Sequence, residues 1–343
     1  MQVKLGRTGL KVNPVGFGGI PIQRLNSGES EHLIETALGQ GINFYDTARV
    51  YTDSEEKMGR VFGRFPERPV IATKSMARSR DQILRDIETS LKKLQVDHIH
   101  LYQCHNISSR EVLEKTLGPR GAIRGMIQAR EEGMIGHIGV TGHKPWVILE
   151  AIEKFPFETI QIPFNFIETA ALERLIPRAR EKKLGIIAMK PVAGGAFQNV
   201  LLNFRFILTS GIDVIIPGMD RIEQVEENRS VLDHLKPLDE NETRILMREK
   251  EDLGETFCRR CEYCMPCPEG LNIPFLHLVG AYYFRYGLKE WAWKRLQGME
   301  KGYQDCTRCG ECVSRCPYDL DIPGIFQQLG EKIGRDYPGK PGA

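Results

Sequence analysis

The sequence predicts an α/β protein, a (β/α)8 TIM barrel followed by a small C-terminal α-helical domain that carries cysteines. Three observations lead to this prediction. Short β-rich runs alternate with amphipathic helical stretches through most of the chain, and eight of its nine cysteines fall in two short runs near the end. The length of 343 residues also accommodates one large domain and one small one.

Eight predicted strands form the alternating part. They are "VGFGGI" (15–20), "INFYDT" (42–47), "VIATK" (70–74), "HIHLYQCH" (98–105), "HIGVTG" (137–142), "TIQIPF" (159–164), "GIIAMK" (185–190) and "IDVIIPG" (212–218). A hairpin is expected over residues 3–15. Between the strands, residues 79–94 place apolar side chains on one helical face, and 171–184 reads as a helix that Gly185 would stop.

The number of strands favours a closed barrel over an open sheet. Eight strands with intervening helices match a (β/α)8 barrel, which typically takes about 250 residues. The competing open α/β sheet would carry a G-x-G-x-x-G fingerprint after its first strand. The corresponding segment, "GFGGIP", has no third glycine. The sequence therefore predicts a barrel.

We expect two domains, with the boundary after residue 238. Residues 1–238 would form the barrel, and 239–343 would contain a charged linker helix and the cysteine-bearing domain. An aromatic-rich helical stretch, "FLHLVGAYYFRYGLKEWAWKRL", separates the two cysteine runs, and ordinary packing of a small domain is its expected role.

Charge and hydropathy narrow the classes of partner. A net charge of +2 and a pI of about 8.0 are too balanced to favour a nucleic-acid or anionic-membrane partner. The first residues lack an apolar signal region, and no stretch approaches the roughly 18 apolar residues of a membrane span. We therefore expect a cytoplasmic protein.

Four polar residues follow the predicted strands where a barrel places its active site. They are Asp46, Tyr51, Lys74 and His105. Each alone has an ordinary structural reading: a helix cap for Asp46, a packing residue for Tyr51, a solvated strand end for Lys74 and a satisfied core histidine for His105.

Together the four have a chemical use. Reducing a carbonyl with hydride creates a negative oxygen that must be protonated, and free tyrosine has a pKa near 10. A neighbouring ammonium lowers that pKa, and a carboxylate behind the lysine keeps it charged and oriented. A histidine can hydrogen-bond the substrate oxygen. This set of residues therefore indicates carbonyl reduction.

The motifs around these residues resemble those of the aldo-keto reductases. The similar segments are "LGRTGLKVNPVGFGG", "GINFYDTARVYTDSEEKMGRVF", "VIATK", "LYQCH", "HIGVTGH", "QIPFNF" and "IPGMDRIEQVEENRSVL", spread over residues 3–235 in the family's order. The resemblance implies a (β/α)8 barrel that reduces aldehydes and ketones with NADPH. It also implies that Asp46, Tyr51, Lys74 and His105 are the catalytic tetrad.

The same resemblance implies a cofactor-binding set with several departures from the family pattern. Thr141 and Gly142 stand where relatives have Ser-Asn, Met189 and Lys190 replace an aromatic residue and a serine, and Arg221 is the candidate for the 2′-phosphate. The full implied set is Gly18, Gly19, Ile20, Asp46, Thr141, Gln161, Met189, Lys190, Pro191, Gly218, Arg221, Gln224, Glu227 and Asn228.

The cysteine runs predict two 4Fe–4S clusters. The second run matches C-x2-C-x2-C-x3-C-P, the bacterial ferredoxin pattern, in which the fourth cysteine binds the other cluster. By this rule Cys258, Cys261, Cys264 and Cys316 hold one cluster, and Cys306, Cys309, Cys312 and Cys267 hold the other. The first run has two residues where three are expected, which leaves open how Cys267 crosses over.

Zinc is the alternative metal, because C-x2-C pairs also suit tetrahedral zinc sites. Runs of four cysteines that end in Cys-Pro favour iron–sulfur clusters over zinc. Cys104 differs from the other cysteines, because it lies in an apolar strand and is expected to be buried and inert.

Three functions remain open at this point. The leading one is an NADPH-dependent oxidoreductase that acts on a small carbonyl substrate, with the clusters serving electron transfer or structural support. The second is an iron–sulfur electron-transfer protein whose barrel binds another redox group, with a one-electron donor or acceptor protein as partner. The third is a barrel that binds nucleotide as a regulatory module. The sequence does not identify the substrate, because in this fold the substrate is selected by loops whose shape the sequence does not give.

Overall fold

The computed structural model describes residues 1–65, 68–193, 195, 197–254, 258, 264–284, 288–316 and 320–337. The chain divides into two compact units. The first contains residues 1–194 and 199–246, and the second contains 195–198 and 247–343. The boundary predicted after residue 238 stays a prediction.

The first unit begins with a short antiparallel hairpin, β1 (Val3–Lys4) and β2 (Lys11–Val12), in the predicted segment. Eight parallel strands follow: β3 (Phe17–Gly18), β4 (Phe44–Asp46), β5 (Val70–Ser75), β6 (Ile99–Cys104), β7 (Ile135–Thr141), β8 (Thr159–Pro163), β9 (Gly185–Met189) and β10 (Val214–Ile215). Each lies within one or two residues of a predicted strand or inside it.

The sheet closes on itself and confirms the barrel. Consecutive strands pair in parallel from β3 to β10, and parallel bridges join Val15 to Ile215 and Gly18 to Gly218. The Gly16 N–H donates to the Ile215 carbonyl at 2.8 Å, and the Gly18 N–H donates to the Pro217 carbonyl at 2.9 Å. Because all strands run in one direction, their carboxyl ends meet at one face of the barrel.

Helices surround the barrel and connect its strands. They are α1 (Ser27–Gly39), α2 (Ser54–Phe62), α3 (Arg80–Leu94), α4 (Arg110–Leu117), α5 (Ala122–Glu131), α6 (Pro145–Lys154), α7 (Leu175–Glu181), α8 (Val200–Thr209) and α9 (Ile222–Ser230), followed by α10 (Glu240–Gly254). Helix α3 buries Ile83, Ile87 and Leu94, and full burial of each such side chain contributes about 1.5–3 kcal/mol.

The prediction that Gly185 stops a helix is wrong. Helix α7 ends at Glu181, and the chain turns at Lys183, which adopts a left-handed φ of 55°. Gly185 instead begins β9, where an added Cβ would lie 2.7 Å from Leu5 Cγ. The glycine is therefore required by a close approach inside the barrel floor and not by a helix end.

The second unit is helical where the structure describes it. Its helices are α11 (Ile273–Phe284), α12 (Lys289–Gln297), α13 (Glu311–Ser314) and α14 (Ile322–Asp336). The aromatic stretch forms two helices, α11 and α12, and its side chains pack in the unit's own core. Trp293 stacks on Tyr337 with ring centroids 4.7 Å apart, and the Tyr303 hydroxyl donates to the Leu276 carbonyl at 2.7 Å.

Candidate functional site

The barrel interior changes from apolar to polar within two residues along its strands. An apolar layer contains Leu5, Val12, Phe44, Ala72, Leu101, Ile187 and Val214. Side chains alternate along a strand, so the residue two positions later faces the same way. In successive strands that next residue is Asp46, Lys74, Gln103 and, from Ile187, Met189. The polar layer therefore lies at the carboxyl ends of the strands.

Lys74 is the centre of this layer. Its ammonium is fully buried, donates to Asp46 Oδ2 at 2.6 Å and donates to the Thr47 carbonyl at 2.8 Å. Burial disfavours the charged form, but Asp46 and Tyr51 outweigh it and raise the pKa of Lys74. Burial raises the pKa of Asp46, and the ammonium opposes that rise. Lys74 therefore remains charged.

Tyr51 lies in the loop that connects β4 to α2. The Tyr51 N–H donates to the Ala48 carbonyl at 2.9 Å, and the Lys74 Nζ atom lies 5.0 Å from the centroid of the Tyr51 ring. Burial raises the pKa of Tyr51, and the lowering effect of Lys74 is smaller. The proximity of Tyr51 and Lys74 expected from the sequence accounts only for the lowering effect. Tyr51 is therefore a protonated hydroxyl at neutral pH, able to donate that proton.

His105 faces Tyr51 from the end of β6. The two rings are perpendicular, with centroids 6.3 Å apart, and the His105 N–H donates to the Ser75 carbonyl at 3.0 Å. Burial, Lys74 and Arg78 lower the pKa of His105 to about 3. Its buried Nδ1 atom has no hydrogen-bond partner among the described residues. His105 is therefore a neutral imidazole beside the Tyr51 ring.

Gln103 belongs to this layer and was missed by the sequence argument. Its Nε2 atom donates to Gln161 Oε1 at 2.6 Å and reaches Asp46 Oδ1 at 3.5 Å. It thus links the Asp46–Lys74 pair to the predicted cofactor residue Gln161. The two-residue alternation from Leu101 was the signal that could have identified it.

The strand ends of β7 and β8 carry the predicted amide-binding residues. Thr141 and Gln161 are buried and pair as neighbours in the sheet. An added Cβ at Gly142 would lie 2.7 Å from the Ile107 carbonyl oxygen and from Ile148 Cδ1. Gly142 departs from the family pattern, and the close approach of the neighbouring loop explains why a residue without a side chain stands there.

The first strand end is also shaped by close approaches. An added Cβ at Gly19 would lie 2.4 Å from Met58 Cε, one at Gly18 would lie 2.8 Å from the Ile216 carbonyl, and one at Gly218 would lie 2.7 Å from Pro21 Cγ. Ile20, which follows, is 51% exposed. These glycines bring the backbones of β3 and β10 together, next to Asp46.

The predicted cofactor residues after β9 and β10 lie in two loops. Met189 ends β9 and is followed by Lys190, which has a left-handed φ of 55°, and by buried Pro191, whose carbonyl accepts a bond from Asn203. Arg221, Gln224, Glu227 and Asn228 lie at the N-terminal end and along the length of α9.

Arg221 and Gln224 form the N-terminal cap of helix α9. Gln224 Oε1 accepts from the Asp220 N–H at 2.8 Å and from the Arg221 N–H at 3.2 Å, so its carbonyl caps the helix. Asp220 pairs with Arg24 at 3.3 Å. Arg221 is exposed and forms no ion pair with a carboxylate in the part of the chain described here. This helix start can therefore accept an anionic group.

A buried acidic group behind the Tyr51 loop was also missed. Glu55, which is 2% exposed, accepts from Thr73 Oγ1 and Ser90 Oγ at 2.8 Å each and pairs with Arg49. The Arg49 N–H donates to the Lys74 carbonyl at 3.0 Å. Glu55 therefore joins the Tyr51 loop to β5 and α3.

In the second unit, three thiols of the second cysteine run interact electrostatically with one another and with one thiol of the first run. Burial raises the pKa of Cys312, and Cys306, Cys309 and Cys267 raise it further. The three thiols do so because neighbouring like charges disfavour ionisation. This is the set that the ferredoxin rule assigns to one cluster. Within the described residues, no three His, Cys, Asp or Glu side chains form a group that could hold a metal ion.

Two side-chain hydrogen bonds connect the segment of the first cysteine run to the segment of the second. Thr307 Oγ1 donates to Glu269 Oε1 at 3.1 Å, and Arg315 Nη1 donates to the Pro266 carbonyl at 2.9 Å. Arg308 and Gly310 adopt left-handed φ values of 59° and 80°, which turn the backbone between Cys306 and Cys312.

Of the other predicted set, Cys264 is buried, Cys258 and Cys316 are half-buried, and Cys261 lies outside the described residues. A surface cavity of about 430 Å³ also lies in this unit and is lined by Tyr303, Cys306, Arg308, Phe326, Gln327 and Glu331.

Comparison with known proteins identifies the first unit. Residues 14–204, more than half of the chain, match the Aldo/keto reductase family. The chain belongs to the aldo/keto reductase family. Residues 257–321 of this chain match the 4Fe-4S dicluster domain, as the cysteine runs predicted. No helix in the described ranges is long and apolar enough to cross a bilayer.

Individual relatives support the same assignment. The chain is 27% identical over 213 residues to L-galactose dehydrogenase of Arabidopsis thaliana, covering 56% of this chain and 65% of that one. It is 30% identical over 200 residues to aldo-keto reductase YhdN of Bacillus subtilis, covering 52% of this chain and 57% of that one. The matches span less than two thirds of the length of these curated relatives.

A solved structure shows the same fold. The aldo-keto reductase of Klebsiella pneumoniae in complex with NADPH superposes with a TM-score of 0.62, covering 72% of this chain and 94% of that one at 20% identity. At this level of identity the likeness concerns the fold alone.

Proposed function

We propose that the barrel is an NADPH-dependent oxidoreductase that reduces the carbonyl of a small aldehyde or ketone. The observation that carries this proposal is the buried Lys74 ammonium, which bonds Asp46 at 2.6 Å and lies beside the Tyr51 ring, with neutral His105 across from that ring. The NADPH complex of the Klebsiella pneumoniae relative supports the choice of cofactor.

Each residue of the tetrad has a distinct part in this reaction. Tyr51 donates its hydroxyl proton to the carbonyl oxygen as negative charge develops there. Lys74 stabilises the tyrosinate that remains, and Asp46 keeps the ammonium charged and fixed in direction. His105, neutral because of burial and two neighbouring cations, orients the carbonyl oxygen with a hydrogen bond.

The strand-end residues fit a nicotinamide cofactor. Bound NADPH would supply the hydride. Thr141 and Gln161 would hold its carboxamide, and the Gln161 Nε2 atom lies 4.0 Å from Met189 Sδ, at the end of the neighbouring strand. Arg221, exposed at the start of α9 beside an already paired Asp220, would hold the 2′-phosphate. The remaining predicted cofactor residues line the same strand ends and α9.

The cysteine unit fits two 4Fe–4S clusters, which would carry electrons one at a time. We propose the two ligand sets that the ferredoxin rule gives, and the mutual effect of Cys312, Cys306, Cys309 and Cys267 supports one of them. The clusters would exchange electrons with a partner protein or support the fold of residues 239–343, which we propose as a domain separate from the barrel at 1–238.

The iron–sulfur unit also favours a second candidate function. An electron-transfer protein whose barrel binds another redox group would need a cysteine ligand near the surface, and Cys309 is exposed. Such a protein would retain its activity without the Tyr51 hydroxyl, because that activity needs no proton donor in the barrel.

Replacing Tyr51 by Phe tests the proposal, because the ring remains and only the proton donor is removed. We expect NADPH-dependent reduction of an aldehyde to fall at least about 100-fold, the scale of a lost general acid, with NADPH binding nearly unchanged. The matched control is Tyr45→Phe, since the Tyr45 hydroxyl contacts the Ile34 carbonyl away from the site. Near wild-type turnover in Tyr51→Phe would remove this residue from the mechanism.

A further inference from the structure

An arginine lies between the two loops that carry the proposed catalytic residues. Arg78 follows β5 four residues after Lys74 and is half-buried. Its Nη2 atom donates to the His105 carbonyl at 2.6 Å and to the Asn106 carbonyl at 3.1 Å, and its Nη1 atom donates to the Ala77 carbonyl at 3.2 Å. A single guanidinium group therefore connects the end of β5 to the end of β6.

The segment that it holds has an unusual backbone. Asn106 adopts a left-handed φ of 54°, and the Ile107 N–H then donates to the Thr141 carbonyl at 2.8 Å. A non-glycine residue in this region is maintained by its surroundings. Because the Arg78 guanidinium donates to two successive carbonyls across this turn, it fixes the plane of the peptide that follows His105.

We propose that Arg78 is the positioning residue of the site: its guanidinium holds the carbonyls of His105 and Asn106 and so sets the direction in which the His105 imidazole meets the substrate oxygen. This inference rests on the proposed function, because it assigns a partner to one member of the tetrad. Arg78 touches the backbone and acts on the reaction through His105 alone.

The charge of Arg78 has a second effect on the same imidazole. His105 is faced by Lys74 from β5, by Tyr51 from the loop after β4 and by Arg78 from the loop after β5. His143, in the loop after β7, contacts Asn106 Oδ1 through its Nδ1 atom at 3.2 Å. After burial and Lys74, Arg78 lowers the pKa of His105, and no carboxylate of the described chain forms an ion pair with Arg78.

A purely structural arginine would stabilise the turn without affecting catalysis, so the test needs variants that separate hydrogen bonding from charge. Arg78→Met removes both, Arg78→Lys keeps the charge but loses the planar fork, and Arg78→Gln keeps an amide donor without charge. The matched control is Arg80→Met, because Arg80 is exposed in the same segment and contacts Asp81 and Gln128.

Three measurements are made on the full chain. Steady-state kinetics with NADPH and an aldehyde give kcat and both KM values, and NMR follows the titration of the His105 ring. The chain has eight histidines, so the His105 signal is identified by its loss in His105→Gln. Thermal unfolding shows which variants fold.

We expect folded Arg78→Met to lose kcat/KM for the aldehyde by about 10- to 100-fold, the scale of a misplaced catalytic group, with little change in KM for NADPH. The His105 pKa should rise yet stay below its ordinary 6.5, because burial and Lys74 remain. Arg78→Lys should leave that pKa low but still lose rate, because a lysine cannot reproduce the fork. Arg80→Met should match the wild type.

Rates within about twofold of wild type in folded Arg78→Met, with an unchanged His105 titration, would overturn the inference. Full rescue of the rate by Arg78→Lys would also overturn it, since charge alone would then suffice. If Arg78→Met does not fold, the lysine and glutamine variants decide. If the wild type reduces no carbonyl, the proposed function fails, and the His105 titration still tests the role of Arg78.

Discussion

The barrel site and the cysteine unit are built in opposite ways. In the barrel, the protein supplies both charges of its central pair, Asp46 and Lys74, and buries them among strands that also close the sheet. In the cysteine unit, burial raises the pKa of Cys312, and three other thiols raise it further. The first arrangement is complete in protein atoms, whereas the second is suited to an added positive centre.

This difference teaches what each region depends on. A buried ion pair is held by the strands that carry it, so the barrel site is expected to persist whatever the state of the clusters. Cysteine ligands bind metal as thiolates, so a bound metal would replace the protons of the neighbouring thiols. We therefore expect metal content to control the cysteine unit and side-chain chemistry to control the barrel.

The largest effect is expected in the cysteine unit. Protein prepared without oxygen should be brown and contain close to eight iron and eight sulfide per chain, because eight cysteines supply two ligand sets. Cys312→Ala should lose one cluster and loosen the other, since in the proposed ligand sets Cys267 and Cys316 cross between the runs. Iron and sulfide analysis measures this loss.

A second cysteine gives the control. Cys104→Ala should keep its full iron, because Cys104 is buried in the barrel, contacts Met126, and burial raises the pKa of its thiol to about 12. Zinc in place of iron in the wild type, or equal iron in both variants, would contradict the cluster assignment.

The next effect concerns the anionic end of the cofactor. Arg221→Ala should weaken NADPH binding by about 1.5–3 kcal/mol, the range for a hydrogen bond to a charged group, and leave NADH binding almost untouched. Arg229→Ala, in the same helix but paired with Asp233, should change neither affinity. Fluorescence titration with both nucleotides gives the comparison, and equal losses for NADPH and NADH in Arg221→Ala would show a structural role.

The smallest effect concerns the pH dependence of barrel stability. Burial, His98 and His137 lower the pKa of His100 to about 4, and its Nδ1 atom accepts from the Ile71 N–H at 3.2 Å. The unfolded chain therefore binds this proton more readily, so the stability due to neutral His100 is complete above pH 6.5 and is lost as the pH falls towards 4.

Denaturant unfolding at several pH values tests this dependence. His100→Asn should flatten the slope of unfolding free energy between pH 6.5 and 4, whereas His32→Asn, at an exposed position of α1, should keep it. The same slope in wild type and His100→Asn would assign the acid sensitivity to other groups.

The sequence predicted the barrel well, because its signals are local. Strand periodicity and strand-end polarity identified eight strands and the Asp46–Lys74 neighbourhood. Gln103 was missed although it follows Leu101 by two residues, since its importance depends on partners in β4 and β8. Arg78 was missed because its partners are backbone carbonyls of another loop, which no side-chain pattern reveals.

Electrostatic balances were harder to predict than positions. The spacing of Tyr51 and Lys74 suggests a lowered tyrosine pKa, but the direction depends on how deeply the ring is buried, and burial prevails. In the cysteine unit the ferredoxin pattern predicts that Cys267 joins the second run, and its effect on the pKa of Cys312 is consistent with that assignment, which stays a prediction.

The most direct test of the central claim follows the hydrogen that reaches the carbonyl carbon. The wild-type chain is given an aldehyde and NADPH deuterated at C4 of the nicotinamide, and the alcohol is examined by NMR. The account predicts one deuterium on the carbinol carbon, on a single face, because hydride transfer in the barrel would be direct. Solvent hydrogen at that carbon, with deuterium absent, would contradict it and favour electrons delivered one at a time.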